Sequence, residues 1–147
     1  MNIALIGAGG KMGSRITDNL LKTDHDVYYV EVADAGIERL RQKGLDTTPQ
    51  HEAVKLADAV ILAVPDAAIE KIAPAVVTEM KRDAMLMLLD PAAAYLQKLP
   101  KREDIALFVA HPCHPPIFND ETSIEAKNDF FGGVAAKQSV VCALVNG

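Results

Sequence analysis

Cysteine is scarce in this chain: Cys113 and Cys142 are the only two among 147 residues. That excludes a disulfide-stapled scaffold and makes a reducing, cytoplasmic setting the default. Long apolar runs are missing as well. The longest, such as Ala59–Val64 and Ala84–Leu89, reach about six residues, against the roughly 20 that a membrane-spanning helix needs. Met1–Ile6 lacks a basic n-region and a cleavage site, so no signal peptide is expected. Basic residues are not in excess. The net charge is −5 and the pI about 5.3, which argues against a nucleic-acid partner. Nine glycines and eight prolines without a period exclude collagen-like and low-complexity chains. What is abundant is apolar. Hydrophobic residues make up 50% against 24% charged, enough for one folded domain with a real core.

The apolar residues fall into alternating strands and helices. Ile3–Ile6 is a short apolar run ending on Gly7, which suits a buried parallel strand. Met12, Ile16 and Leu20 recur at every fourth residue and form one face of a helix of about three turns. After the polar turn Asp24–Asp26, Val27–Val30 reads as a second strand. Ile37 and Leu40 imply a short surface helix stopped near Gly44. Leu45–Thr48 reads as a short strand, and Pro49 opens a small helix carrying Val54 and Leu56. Ala59–Val64 is the clearest strand; Pro65 stops it, and Asp66 is placed to cap the next helix. Ile69, Ile72, Ala73, Val76, Val77 and Met80 form a helical stripe. Pro74 lies inside it and predicts a kink or two helices. Ala84–Leu89 is a strand ending on Asp90-Pro91, Ala92–Leu99 a short helix, and Ile105–Ala110 a strand ending on His111-Pro112. The apolar tail Gly133–Leu144 reads as one or two further strands or the start of a helix.

This order predicts an α/β fold, a doubly wound and mainly parallel Rossmann sheet covered on both faces. Ligands bind such sheets at the carboxyl ends of the strands, where strand order reverses. Gly7–Gly13, Glu31, Pro65-Asp66, Asp90-Pro91 and His111–Pro116 all follow strands, so they are expected on one binding face.

Gly7, Gly10 and Gly13 fit G-x-x-G-x-x-G, with Gly9 extra; strict G-x-G-x-x-G fails because Met12 takes its sixth place. The motif follows a strand and opens an amphipathic helix, the context in which such a loop cradles a pyrophosphate. Gly7, Gly9, Gly10, Lys11, Met12 and Gly13 are therefore candidate cofactor residues. Lys11 also reads as a solvated helix start, since the backbone N–H groups already suit an anion. Eighteen residues beyond Gly13, Glu31 ends the second strand. A carboxylate there accepts ribose hydroxyls and repels a 2′-phosphate, which favours NAD over NADP. The competing view leaves Glu31 solvated, with Asp34, Arg39 or Arg41 in its role.

Ala57–Pro65 resembles the A-D-x-V-x-L-A-V-P strand of the 6-phosphogluconate dehydrogenase-like and prephenate dehydrogenase-like oxidoreductases. In those families the residues after this strand pass beside the cofactor, and the resemblance carries that role to Ala63, Val64 and Pro65. His111–Glu121 packs three prolines into five positions, as in a fixed extended loop. With Phe131–Gln138 it resembles the phosphogluconate dehydrogenase-related sugar-acid oxidoreductases. That group oxidises a hydroxy acid with NAD, in one case with a coupled isomerisation. A histidine near the nicotinamide suits the hydroxyl proton, with His111 the first candidate and His114 the second. The competing view has both histidines merely holding the loop. No metal is expected, because H-x-C-H is not a standard ligand spacing and His25, His51 and Cys142 are scattered. A nucleophilic Cys113 lacks any identifiable base.

The expected function is an NAD-dependent oxidoreductase acting on a small hydroxy or sugar acid. The alternative is a non-catalytic NAD-binding regulatory module. A reductase resembling dihydrodipicolinate reductase shares the glycine-rich opening but not the paired-histidine segment. In the favoured families a helical domain follows, supplying much of the substrate pocket and usually the dimer interface. Residues 1–147 are accordingly expected to be an isolated dinucleotide-binding domain, homodimeric in its full-length form.

Overall fold

A computed structural model gives the fold and describes residues 1–113, 123–127, 135 and 139–146. His114 and most of the 131–138 stretch lie outside the described residues.

Strand β1 (Asn2–Ile6) is buried on both faces from Ile3 onward, as a continuous apolar run requires inside a parallel sheet. It runs parallel to both neighbours. Ile3 pairs with Val27 of β2 (Asp26–Val30) and with Ala59 of β3 (Ala59–Leu62). Strands β4 (Met85–Leu88) and β5 (Ala106–Cys113) continue parallel. Strand β6 (Ser139–Asn146) closes the edge antiparallel to β5. The order is β2-β1-β3-β4-β5-β6. The chain leaves β1 on one side to form β2 and returns on the other to form β3. Strand order therefore reverses between β1 and β3, and a crevice opens there at the carboxyl ends.

Successive β1 residues feed opposite layers, the period of two that a strand imposes. On one face Ile3, Leu5, Tyr29 and Ile61 meet Ile16 and Leu20 of α1 (Lys11–Leu20) and Leu40 of α2 (Asp34–Gln42). On the other, Ala4, Ile6, Val60 and Leu62 meet Val54 of α3 (Gln50–Leu56) and Ile69, Ala73 and Val76 of α4 (Asp66–Glu79). This is the doubly wound Rossmann arrangement. Short helices α5 (Ala92–Tyr95) and α6 (Ile124–Lys127) complete the described elements. None of the described helices is long and apolar enough to cross a membrane.

Several local expectations are corrected. Leu45–Thr48 is not a strand; a single bond from Thr48 N–H to the Tyr29 carbonyl, 2.8 Å, reaches β2 before Pro49 starts α3. Helix α4 runs unbroken through Pro74, which lies on its exposed side while Ala73, Val76 and Val77 hold the buried stripe. Pro65, not Asp66, occupies the N-cap of α4; Asp66 is its first residue and makes no side-chain cap. Helix α5 stops at Tyr95 because Gln97 turns left-handed, with φ 54°, and Lys98 N–H reaches back to the Ala93 carbonyl at 3.0 Å. Strand β5 extends to Cys113, so His111 and Pro112 are strand residues and not a loop: His111 sits opposite Val141 and Pro112 opposite Val140. The apolar tail supplies the partner that extends β5 past the end of β4.

Candidate cofactor and active site

The glycine loop is shaped by close approaches. Gly7 has φ +82°, and a Cβ on it would lie 2.5 Å from the Ala63 carbonyl oxygen. Its N–H donates to the Val30 carbonyl at 2.9 Å, which joins the ends of β1 and β2. Gly10 closes the turn by donating to the Gly7 carbonyl at 3.0 Å and forms the N-cap of α1. A Cβ on Gly13 would come 1.9 Å from the Gly7 oxygen, so α1 starts nearer β1 than any side chain permits. No side chain caps α1 and no acid stands in its first turn. Its leading N–H groups and the positive end of its dipole are thus left to an anion.

A cleft of about 390 Å³ opens on this helix start. It runs from Gly10–Met12 along Leu62–Asp66, after β3, to Leu89, Asp90, His111 and Pro112 at the ends of β4 and β5. The expected residues Gly10, Lys11, Met12, Ala63, Val64, Pro65 and His111 therefore share one cleft. Asp66 and Asp90, expected on the binding face, line it too, and Leu89 joins them. Their signal was position, since each directly follows a strand or its terminating proline. A separate cavity of about 280 Å³ lies around the starts of β4 and β5. Arg102 lines it, but the guanidinium is spent on Asp104 and on the Val77 and Met80 carbonyls.

Gly9 and Glu31 stand beside the cleft, toward α2. The Glu31 carboxylate accepts the Gly9 N–H on Oε2 at 2.9 Å. Its Oε1 accepts the Val32 and Ala33 N–H groups at 2.9 and 3.0 Å. Gly9 is buried, and a Cβ there would lie 2.3 Å from the Gly36 oxygen of α2. Arg39 donates from Nε to the Gly9 carbonyl at 2.7 Å. Arg39, weighed only as a substitute for Glu31, instead works alongside it by fixing the same glycine. A cofactor fits the chemistry of these groups: uncapped N–H donors for phosphate, and a carboxylate acceptor at the end of β2 for ribose hydroxyls.

His111 is set by the end of β4. Its Nδ1 lies 2.9 Å from the Leu89 carbonyl oxygen and 3.7 Å from Asp90 Oδ2. A carbonyl oxygen can only accept, so Nδ1 carries the hydrogen. In the neutral ring the lone pair is therefore on Nε2. In that tautomer Nε2 is the proton-accepting nitrogen of the His111 ring. Cys113 Sγ lies 3.9 Å from the His111 carbonyl oxygen. Among the described residues no three His, Cys, Asp or Glu side chains gather around a metal position.

Comparison with known proteins follows the same map. The chain is 53% identical over 146 residues to a D-apionate oxidoisomerase of Rhizobium rhizogenes and 42% identical over 147 residues to one of Blautia hydrogenotrophica. Each match covers 99% of this chain and 53% or 51% of the relative, so the chain spans about half the length of these curated relatives. A Cupriavidus necator protein described as a semialdehyde dehydrogenase NAD-binding protein, crystallised with calcium and NAD, superposes with a TM-score of 0.87. It is 52% identical, with 99% of this chain and 53% of that one covered. Residues 119–147 match the family model of the phosphogluconate dehydrogenase (decarboxylating) C-terminal region, in keeping with the resemblance seen around Phe131–Gln138. Residues 2–93 match a second model. That span takes in every cleft residue except His111 and Pro112, and by it the chain belongs to the family described as NADP oxidoreductase, coenzyme F420-dependent.

Proposed function

We propose that this chain is the dinucleotide-binding portion of a cytoplasmic, homodimeric NAD-dependent oxidoreductase whose substrate is a small hydroxy or sugar acid. One observation carries the proposal. The uncapped start of α1 and the Nε2-bearing ring of His111 open on the same cleft of about 390 Å³. Bound there, NAD supplies the acceptor for a hydride. The backbone N–H groups of α1 hold its phosphates, Glu31 takes a ribose hydroxyl, and Ala63–Pro65 form the wall toward His111. His111 accepts the hydroxyl proton of the substrate at Nε2. The relative crystallised with NAD supports the cofactor, and the D-apionate oxidoisomerases support a sugar acid as substrate, with the oxidation coupled to an isomerisation.

NAD is favoured over NADP by Glu31. Three backbone donors hold its negative charge at the end of β2, where a 2′-phosphate would have to enter. Val32 beside it is 89% exposed and brings no cation. Calorimetry on the 147-residue chain is expected to show NAD binding at least about ten-fold tighter than NADP, and Glu31→Gln is expected to narrow the gap. Equal affinities for the two cofactors would remove the preference. In a protein of the relatives' length, His111→Gln is expected to lower kcat on D-apionate by about 10²-fold with NAD affinity unchanged. Intact NAD binding with no turnover on any sugar acid would favour a non-catalytic NAD-binding module instead.

A further inference from the structure

We infer that Asp90 is the positioning residue of His111, holding its ring ready to receive a proton and stabilising the charge that results; this rests on the proton-accepting role proposed for His111. The placement begins in the sheet. Strands β4 and β5 pair in parallel from Met85 with Ala106 to Leu88 with Val109. Asp90 lies two residues past the end of β4, and His111 two residues past Val109 within β5.

The two oxygens of Asp90 have different tasks. Oδ1 accepts the Ala92 N–H at 2.8 Å across Pro91, which itself holds the N-cap of α5. Oδ2 stands 3.7 Å from His111 Nδ1, while the Leu89 carbonyl takes the Nδ1 hydrogen at 2.9 Å. One ring nitrogen thus faces two acceptors and no donor among these contacts. That fixes the tautomer with its lone pair on Nε2. Lys11 and Asp66 are the other charged side chains of the same cleft.

In the oxidation, the substrate carbon gives up its C–H as a hydride, with both bonding electrons, to the nicotinamide of NAD. The hydroxyl proton passes to His111 Nε2, and the carbon–oxygen bond becomes a carbonyl. The ring is then an imidazolium. Its Nδ1–H still rests on Leu89, and the Asp90 carboxylate supplies the opposing charge. Release of the Nε2 proton to water resets the site. The two side chains are 43% and 33% exposed, so solvent screens the pair.

Asp90→Asn separates the two tasks. Asparagine keeps an Oδ1 that can accept the Ala92 N–H, and it removes the charge. In a protein of the relatives' length, kcat is expected to fall about ten-fold, with KM and NAD affinity unchanged. In the 147-residue chain without cofactor, the His111 Nδ1–H proton resonance is expected to move upfield, because a carboxylate near it is replaced by a neutral amide. Added to His111→Gln, Asp90→Asn is expected to lower kcat no further. Wild-type kcat with an unmoved resonance would reduce Asp90 to a partner of the Ala92 N–H. An additive loss in the double variant would also overturn the inference, since Asp90 would then act without His111. Full kcat in His111→Gln would instead overturn the underlying proposal. Should Asp90→Asn fail to fold, Asp90→Ser, whose hydroxyl can accept the same N–H without a charge, reads the same loss.

Discussion

At the scale of the residue, Gly13 shows how one missing methyl group sets a binding site. Alanine is the better helix former by about 1 kcal/mol, so helix propensity alone predicts that Gly13→Ala stabilises α1. The Cβ would sit 1.9 Å from the Gly7 oxygen and 2.8 Å from Ala8 backbone atoms, which cannot rotate away. Gly13→Ala is therefore expected to cost about 1–3 kcal/mol and to lower the melting temperature by several degrees. The NAD affinity should fall with it, because α1 must move off the loop. A rise in melting temperature would show that propensity wins and the close packing does not matter. The role of Gly13 was legible in its spacing from Gly7. The reason for Gly9 was not, because its neighbour Gly36 arrives from α2, twenty-seven residues along the chain. Glu31 was legible as the carboxylate ending β2. Its three backbone bonds depend on how α2 and the glycine loop fold against it.

At the scale of the element, two carboxylates tie helix ends to the sheet and make stability depend on acid. Asp58 precedes β3, accepts Lys81 Nζ at 2.5 Å from beyond α4, and accepts the Asn2 N–H of β1 at 2.7 Å. Asp104 precedes β5 and is gripped by Arg102 at 2.9 and 2.6 Å, while Arg102 also takes the last carbonyls of α4. The Lys81 ammonium, helped by the Asn2 N–H, holds Asp58 below the ordinary carboxylate range. The Arg102 guanidinium does the same for Asp104. A carboxyl group whose folded value is lowered binds its proton more readily in the unfolded chain. Its stabilisation is complete above about pH 4 and is lost as the pH falls through the folded value. Urea unfolding between pH 7 and pH 2 is expected to show that loss. The double variant Asp58→Asn, Asp104→Asn is expected to start less stable and to fall less steeply below pH 4. Parallel curves for the two proteins would rule these pairs out as the cause. The elements themselves were largely legible, since β1 and β3 follow from continuous apolar runs and α1 from its four-residue apolar spacing. Pro74 was misjudged because a proline on the solvent side of α4 leaves the buried stripe intact. The end of α5 turns on Gln97, a residue with no side-chain preference for the left-handed region.

At the scale of the whole molecule, the reversal of strand order between β1 and β3 places the cleft where four strand ends converge. The alternation of strands and helices made that topology legible. The extension of β5 was not, because it requires β6 to return antiparallel from about thirty residues away, with Cys113 opposite Ser139. A ligand bridging those four ends adds its binding energy to the folded state of the entire sheet, not to one loop. At about 100 times its Kd, NAD is expected to add about 2.7 kcal/mol and to raise the melting temperature of the 147-residue chain by about 8 °C. NADP at the same concentration should raise it less, because Glu31 opposes the 2′-phosphate. His111→Gln should leave the NAD shift intact, since that ring is assigned to the substrate proton and not to the phosphates. Gly13→Ala should abolish it. A shift that His111→Gln removes and Gly13→Ala spares would move the cofactor off the start of α1 and onto the end of β5.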